Sequence, residues 1–183
     1  MRIFLSVLAV SLVVAGTQGL VTGAELSAEW APVSGQWTLA REILPVVYQE
    51  SESGTALILA PGGAEPVRVF RAMVKPSVGT GEAGLWLDAD GQAARGLQVL
   101  LGRSSNVGGF TLRVANGDTL WEDRFAPWNA YSPYVLEGIA TADKLRVQMF
   151  EGTGNVLVSQ SPWIDLDEGN RLKGGRVGLF ASD

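Results

Sequence analysis

The side chains with the types and spacing to do chemistry fall into a few short stretches. Asp165 and Asp167 are two apart. On a strand that spacing puts both on one face, about 6.5–7 Å apart along the chain. A pair of glycosidase carboxylates needs roughly 5–5.5 Å for retention or about 6.5–9.5 Å for inversion. Trp163 falls on the same side, so the trio has the ingredients for acid–base work on a sugar. The competing reading takes 165–170 as a solvated edge and turn, where charges discourage aggregation. Glu122 and Asp123 are adjacent, so a strand points them to opposite faces. Asp88 and Asp90, followed by Gly91, form an oxygen-rich, glycine-turned loop. Its chemistry suits calcium, without the further acidic ligands of an EF-hand, and the alternative is an ordinary hairpin turn. Asp88 also joins Asp165 and Asp167 as a candidate acid or base.

A second group offers recognition rather than reaction. The stretch 125–134 brings Trp128, Tyr131 and Tyr134 into a proline-bounded segment too irregular for a core strand. Such rings present a flat apolar face and a hydrogen-bonding edge, which suits stacking under a sugar ring. The alternative is a loop that tucks its aromatics over one end of the core. Trp86, Gln98, Arg113, Arg146 and Gln148 lie at non-core positions of their strands and are candidates for the floor of a groove, the alternative being an exterior face or one covered by a partner. Amides and guanidiniums there would supply directed donors for a polyol.

Composition removes other chemistries. The 183 residues include no cysteine and no histidine. Disulfides, thiolate metal sites, a cysteine nucleophile, a Ser-His-Asp triad and histidine–zinc sites are therefore excluded. With 14 Lys+Arg against 19 Asp+Glu, the net charge is −5. An acidic chain with no basic run repels phosphate backbones, so no nucleic-acid partner is expected. No cofactor is expected beyond calcium at the 88–91 loop.

The N-terminus reads as an address. Arg2 is followed by an apolar run from Ile3 to Val14, broken by Ser6 and Ser11, and then by small residues. This is the order of a secretory signal, with cleavage expected after Ala24 and, as the rival, after Gly19. The apolar run is about 12 residues long, where roughly 20 are needed to span a bilayer. Residues 1–24 are thus expected to be a signal peptide, and 25–183 a single domain released outside the cytoplasm, secreted or periplasmic, without stable membrane insertion.

The elements that must position these residues are strands. With 23 glycines and apolar residues in alternation, the mature chain predicts strands near 37–40, 43–48, 56–59, 67–74, 84–88, 95–101, 110–115, 119–124, 134–139, 144–150, 156–161 and 176–180. Asp90-Gly91, Asn116-Gly117 and the 151–155 loop carry hairpin chemistry and predict antiparallel neighbours. The stretch 60–66 reads as a loop that carries the chain between sheets. Alternation assigns Leu85, Leu87, Leu97, Val99, Leu101, Phe110, Leu112, Val114, Leu145, Val147 and Met149 to the core. The predicted fold is all-β, an antiparallel two-sheet β-sandwich.

Three glycine-rich motifs carry a resemblance. Gly35-Gln36-Trp37 looks like an opening G-x-W strand. The run from Ala83 to Gly91 looks like an a-G-l-x-f strand with an acidic turn, and the run from Gly174 to Asp183 like a G-x-v-G-L closing strand. In this order they resemble the concanavalin A-like lectin/glucanase superfamily, specifically its laminin-G-like and 3-keto-disaccharide-hydrolase-type domains of secreted bacterial proteins. The resemblance implies a jelly-roll sandwich and, at a neighbouring level, occasional calcium. The superfamily's Glu-x-Asp-x-x-Glu glucanase strand is absent, as is the acidic-aromatic strand that usually follows the closing motif. The resemblance therefore implies a sheet lacking one edge strand or a shortened chain.

Together these features lead to the expectation of a secreted, non-catalytic, lectin-like β-sandwich whose partner is a glycan or polysaccharide. Trp86, Trp128, Tyr131 and Tyr134 are the expected stacking surfaces, and Gln98, Arg113, Arg146 and Gln148 the expected hydroxyl partners. A glycoside hydrolase of the 3-keto-disaccharide-hydrolase type is the second expectation, and an adhesive envelope module that binds protein is the third.

Overall fold

The computed structural model describes residues 5–8, 31–34, 37–40, 46–49, 56–59, 68–74, 81–89, 95–104, 107–115, 117–129, 132–152, 156–173 and 175–182. These residues contain strands and turns and no helix. The strands are β1 (Leu5–Leu8), β2 (Ala31–Ser34), β3 (Trp37–Ala40), β4 (Val46–Gln49), β5 (Ala56–Leu59), β6 (Arg68–Val74), β7 (Glu82–Ala89) and β8 (Leu97–Ser104). They continue with β9 (Val107–Val114), β10 (Thr119–Asp123), β11 (Tyr134–Ala140), β12 (Lys144–Glu151), β13 (Val156–Gln160), β14 (Ile164–Asp165) and β15 (Arg176–Ser182).

Two antiparallel sheets make the sandwich. The larger runs β10-β9-β8-β7-β15-β5-β2, and the smaller runs β13-β12-β11-β6 with β14 paired to β12. A separate ladder joins β1, β4 and β3, so part of the expected leader is paired with residues 46–49. The three hairpin signals coincide with antiparallel neighbours: β7 with β8, β9 with β10, and β12 with β13. β5 belongs to the larger sheet and β6 to the smaller, while the 60–66 stretch between them lies outside the described residues. The closing strand β15 lies inside its sheet, bonded to β7 on one side and β5 on the other.

The core follows from alternation. Leu85 and Leu87 of β7, Leu97, Val99 and Leu101 of β8, and Phe110 and Leu112 of β9 point inward and are buried. They meet Phe70, Ala72 and Val74 of β6, Leu136 of β11, and Leu145, Val147 and Met149 of β12. Each such leucine contributes about 1.5–3 kcal/mol by leaving water. Val114 is only partly buried at the margin of this core.

The two sheets are also joined by a polar contact at their edges. The Ser159 hydroxyl of β13 donates to Asp123 Oδ2 of β10 at 2.5 Å. The other Asp123 oxygen accepts the Phe125 N–H at 3.0 Å. Asp123 therefore turns the chain out of β10 and ties one sheet to the other, while Glu122 pairs with Arg124 at 2.8 Å. The two adjacent carboxylates serve different contacts, as their alternation requires.

Candidate functional site

Among the described residues, polar side chains gather on the outer faces of the two sheets, and the two faces are built differently. On the larger sheet, Trp86, Gln98 and Arg113 are in register across β7, β8 and β9. Trp86 is only 3% exposed, packs edge-on to Phe180 with centroids 5.6 Å apart, and donates its indole N–H to the Arg95 carbonyl at 3.1 Å. Arg113 donates Nε–H to Gln98 Oε1 at 2.6 Å and its two Nη groups to the carboxylate of Glu82 at 3.0 and 2.7 Å. A bidentate guanidinium–carboxylate pair of this kind holds a fixed geometry. These polar atoms are satisfied by one another, around a small apolar cluster of Trp86, Ala89, Leu100, Ala115 and Phe180.

The outer face of the smaller sheet is different. Register places Arg71, Glu137, Gln148 and Gln160 in one row across β6, β11, β12 and β13. Arg71 Nε lies 3.7 Å from Glu137 Oε2, and the Gln148 amide donates to Gln160 Oε1. One step along, Val69, Ile139 and Arg146 form the next row. The Arg146 guanidinium lies over the ring of Trp163, 4.6 Å from its centroid, and Trp163 remains 41% exposed. On the other side of the polar row, Arg71 reaches over Phe150, 5.5 Å from the ring centroid. Residues two apart on β12 are about 7 Å apart, so the Gln148 amide and the Arg146 guanidinium fall within the span of one or two sugar rings.

The residues singled out from sequence are therefore distributed as follows. Trp86, Gln98 and Arg113 belong to one sheet and Arg146 and Gln148 to the other, so these five side chains do not form the floor of one groove. The correction has a simple cause: alternation tells which side of its own sheet a residue takes, not which sheet its strand joins. Tyr134 is 2% exposed within the core, and its hydroxyl accepts the Asn129 N–H at 2.7 Å. Trp128 is partly buried against the same core. Both rings thus pack into or against the core, as in the alternative reading of the aromatic segment. Tyr131 lies outside the described residues, as does Asp90.

Each candidate carboxylate has a local partner. Asp165 is exposed and pairs with Lys144 Nζ at 3.1 Å. Asp167 accepts the Asn170 N–H at 2.9 Å and closes the 167–170 turn. Asp88 is buried at a positive φ of 55°. One of its oxygens accepts the Lys173 N–H at 3.1 Å and the other accepts the Gly175 N–H. A methyl group at Gly175 would lie 2.6 Å from the Asp88 carbonyl carbon, so glycine is required where the loop before β15 crosses Asp88. Among the described residues, no three acidic side chains gather as a metal site.

Arg71, Glu137, Gln160 and Trp163 share the face of Arg146 and Gln148 and were not among the candidate ligand residues. Trp163 stood out only as a neighbour of Asp165. The other three carry no local signal, because each is an ordinary polar residue until β6, β11, β12 and β13 are in register.

No protein-family model matches this chain, and no curated protein matches it. Among solved structures, the chain is similar to the carbohydrate-binding module CBM66 from Bacillus subtilis, with a TM-score of 0.62 and 19% identity. The match covers 88% of this chain and 89% of that module. At this identity the likeness is one of backbone arrangement, the antiparallel β-sandwich described above.

Proposed function

We propose that this chain is an exported, non-catalytic carbohydrate-binding protein that holds its glycan on the outer face of the smaller sheet. The observation that carries the reading is the juxtaposition of the Gln148–Gln160 amide pair with the exposed Trp163 ring and its stacked Arg146. Amide donors and acceptors match sugar hydroxyls, and the exposed part of the indole ring offers an apolar surface for a sugar ring. The fold shared with a module named for carbohydrate binding supports the same reading. Gln98 and Arg113, expected as hydroxyl partners, are assigned a structural role, because their polar atoms already meet each other and Glu82.

The reading is tested with a glycan array and affinity gels on the wild-type protein and on Gln148→Ala and Trp163→Ala variants. Retention of the wild type on at least one glycan class is expected, with about tenfold weaker retention of each variant, as for losing one or two hydrogen bonds or a stacked ring. A wild-type protein retained by no glycan and recovered with a protein partner would overturn the reading in favour of an adhesive module. Hydrolysis of a glycoside that is abolished by Asp165→Asn or Asp167→Asn would overturn its non-catalytic part.

A further inference from the structure

Among the described residues, Arg146 stands apart from the paired charged side chains of the two outer faces. Arg113 is paired with Glu82, Arg71 with Glu137 and Lys144 with Asp165. Arg146 has no ion pair or hydrogen bond to a described residue; its Nε is buried without an acceptor, and its guanidinium carbon lies over the Trp163 ring, 4.6 Å from the centroid. An arginine held on an aromatic face is oriented before a ligand arrives, so less side-chain freedom is lost on binding. Its unshared donors form a planar fork suited to a two-oxygen acceptor. Because the neighbouring charges cancel in pairs, the fork is a local positive centre on a protein whose net charge is −5. Non-specific anions are repelled by such a protein, which leaves recognition to a site of this kind.

We propose that Arg146 on Trp163 is a subsite for the carboxylate of a uronic acid residue, so that the glycan bound by this face is an acidic polysaccharide. The inference rests on the glycan-binding reading of the same face. The carboxylate accepts from the outer guanidinium nitrogens, the sugar ring covers the exposed part of Trp163, and its hydroxyls reach the Gln148–Gln160 pair. Both partners remain intact, and no bond is made or broken.

The test uses the full chain with oligomers of galacturonate, glucuronate and mannuronate, each beside its carboxyl-reduced neutral counterpart, by calorimetry and by quenching of tryptophan fluorescence. At low salt, at least one acid oligomer is expected to bind about tenfold or more tighter than its reduced form. The margin is expected to shrink as ionic strength rises, since a half-exposed ion pair is screened. Arg146→Gln is expected to bring the ratio of acid to neutral affinity close to one. Arg146→Lys, which keeps the charge and loses the fork, is expected to keep only part of it. Neutral glycans bound as well as, or better than, every uronate would overturn the inference while leaving carbohydrate binding in place. So would a preference for acid oligomers that survives in Arg146→Gln. A protein that binds no glycan of either kind would overturn the functional reading and this inference together.

Discussion

Arg113 donates three hydrogen bonds to Gln98 and Glu82, whereas Arg146, on the opposite sheet, rests on Trp163 with its Nε unpartnered. The two arginines occupy similar positions in their strands, each on the non-core side, and differ in what register brings beside them. Removing Arg113 takes the bidentate donors from the Glu82 carboxylate and the Nε–H donor from Oε1 of the buried Gln98. Arg113→Ala is therefore expected to cost about 2 kcal/mol, read as a fall in Tm of roughly 5 °C, with glycan affinity unchanged. Gln148→Ala on the other face is expected to do the reverse: Tm within a degree or two of wild type and weaker glycan retention. Thermal unfolding and affinity measurements on the same two preparations check both outcomes.

At the scale of elements, two polar contacts add to the apolar packing that Leu172, Val158 and Trp121 make against the core. Asp88 accepts two backbone N–H groups from the loop that leads into β15. Asp88→Ala strands both donors, and a loss of about 2–3 kcal/mol is expected by chemical denaturation. Because the Asp88 oxygens already serve as this clamp, EDTA treatment is expected to leave the Tm of the wild type unchanged. A drop on EDTA that calcium restores would return the 88–91 loop to the role of a metal site. The second contact is Ser159 to Asp123, which joins the edge strands β13 and β10. A double-mutant cycle with Ser159→Ala and Asp123→Asn is expected to show coupling of about 1–2 kcal/mol, as for a hydrogen bond to a charged acceptor. Additive single effects would mean that each residue acts locally.

For the molecule as a whole, the sandwich presents two outer faces with unequal chemistry. Among the described residues, the larger sheet joins Arg113 to Gln98 and Glu82, and the smaller sets the Gln148–Gln160 amides beside the exposed Trp163 ring and the Arg146 over it. No helix among the described residues is long and apolar enough to cross a membrane. Residues 1–24 have the charged start, short apolar run and small residues of a signal-peptide pattern, from which export is expected. Expression in a secreting host is expected to yield protein whose N-terminal residue is Glu25, read by mass spectrometry of the intact chain. Retention of Leu5–Leu8 in the mature protein would instead make the β1–β4 ladder part of the working fold.

Strand class, hairpin neighbours and the inward set from Leu85 to Met149 were all legible in the sequence, because each depends on residues within a strand's length of one another. Alternation exposes a strand's inward face, and Asn-Gly or Asp-Gly at a turn marks the strand that pairs next. Which strands share a sheet depends on contacts far apart in the chain. β6 joins β11 across some sixty residues, and β15 inserts between β7 and β5. Only that arrangement separated Trp86, Gln98 and Arg113 from Arg146 and Gln148, buried the Trp86 and Tyr134 rings, and assembled Arg71, Glu137, Gln148 and Gln160 into a row. The physical reason is that a polar side chain's role on a sheet is set by its cross-strand neighbours, and these are brought beside it only by folding.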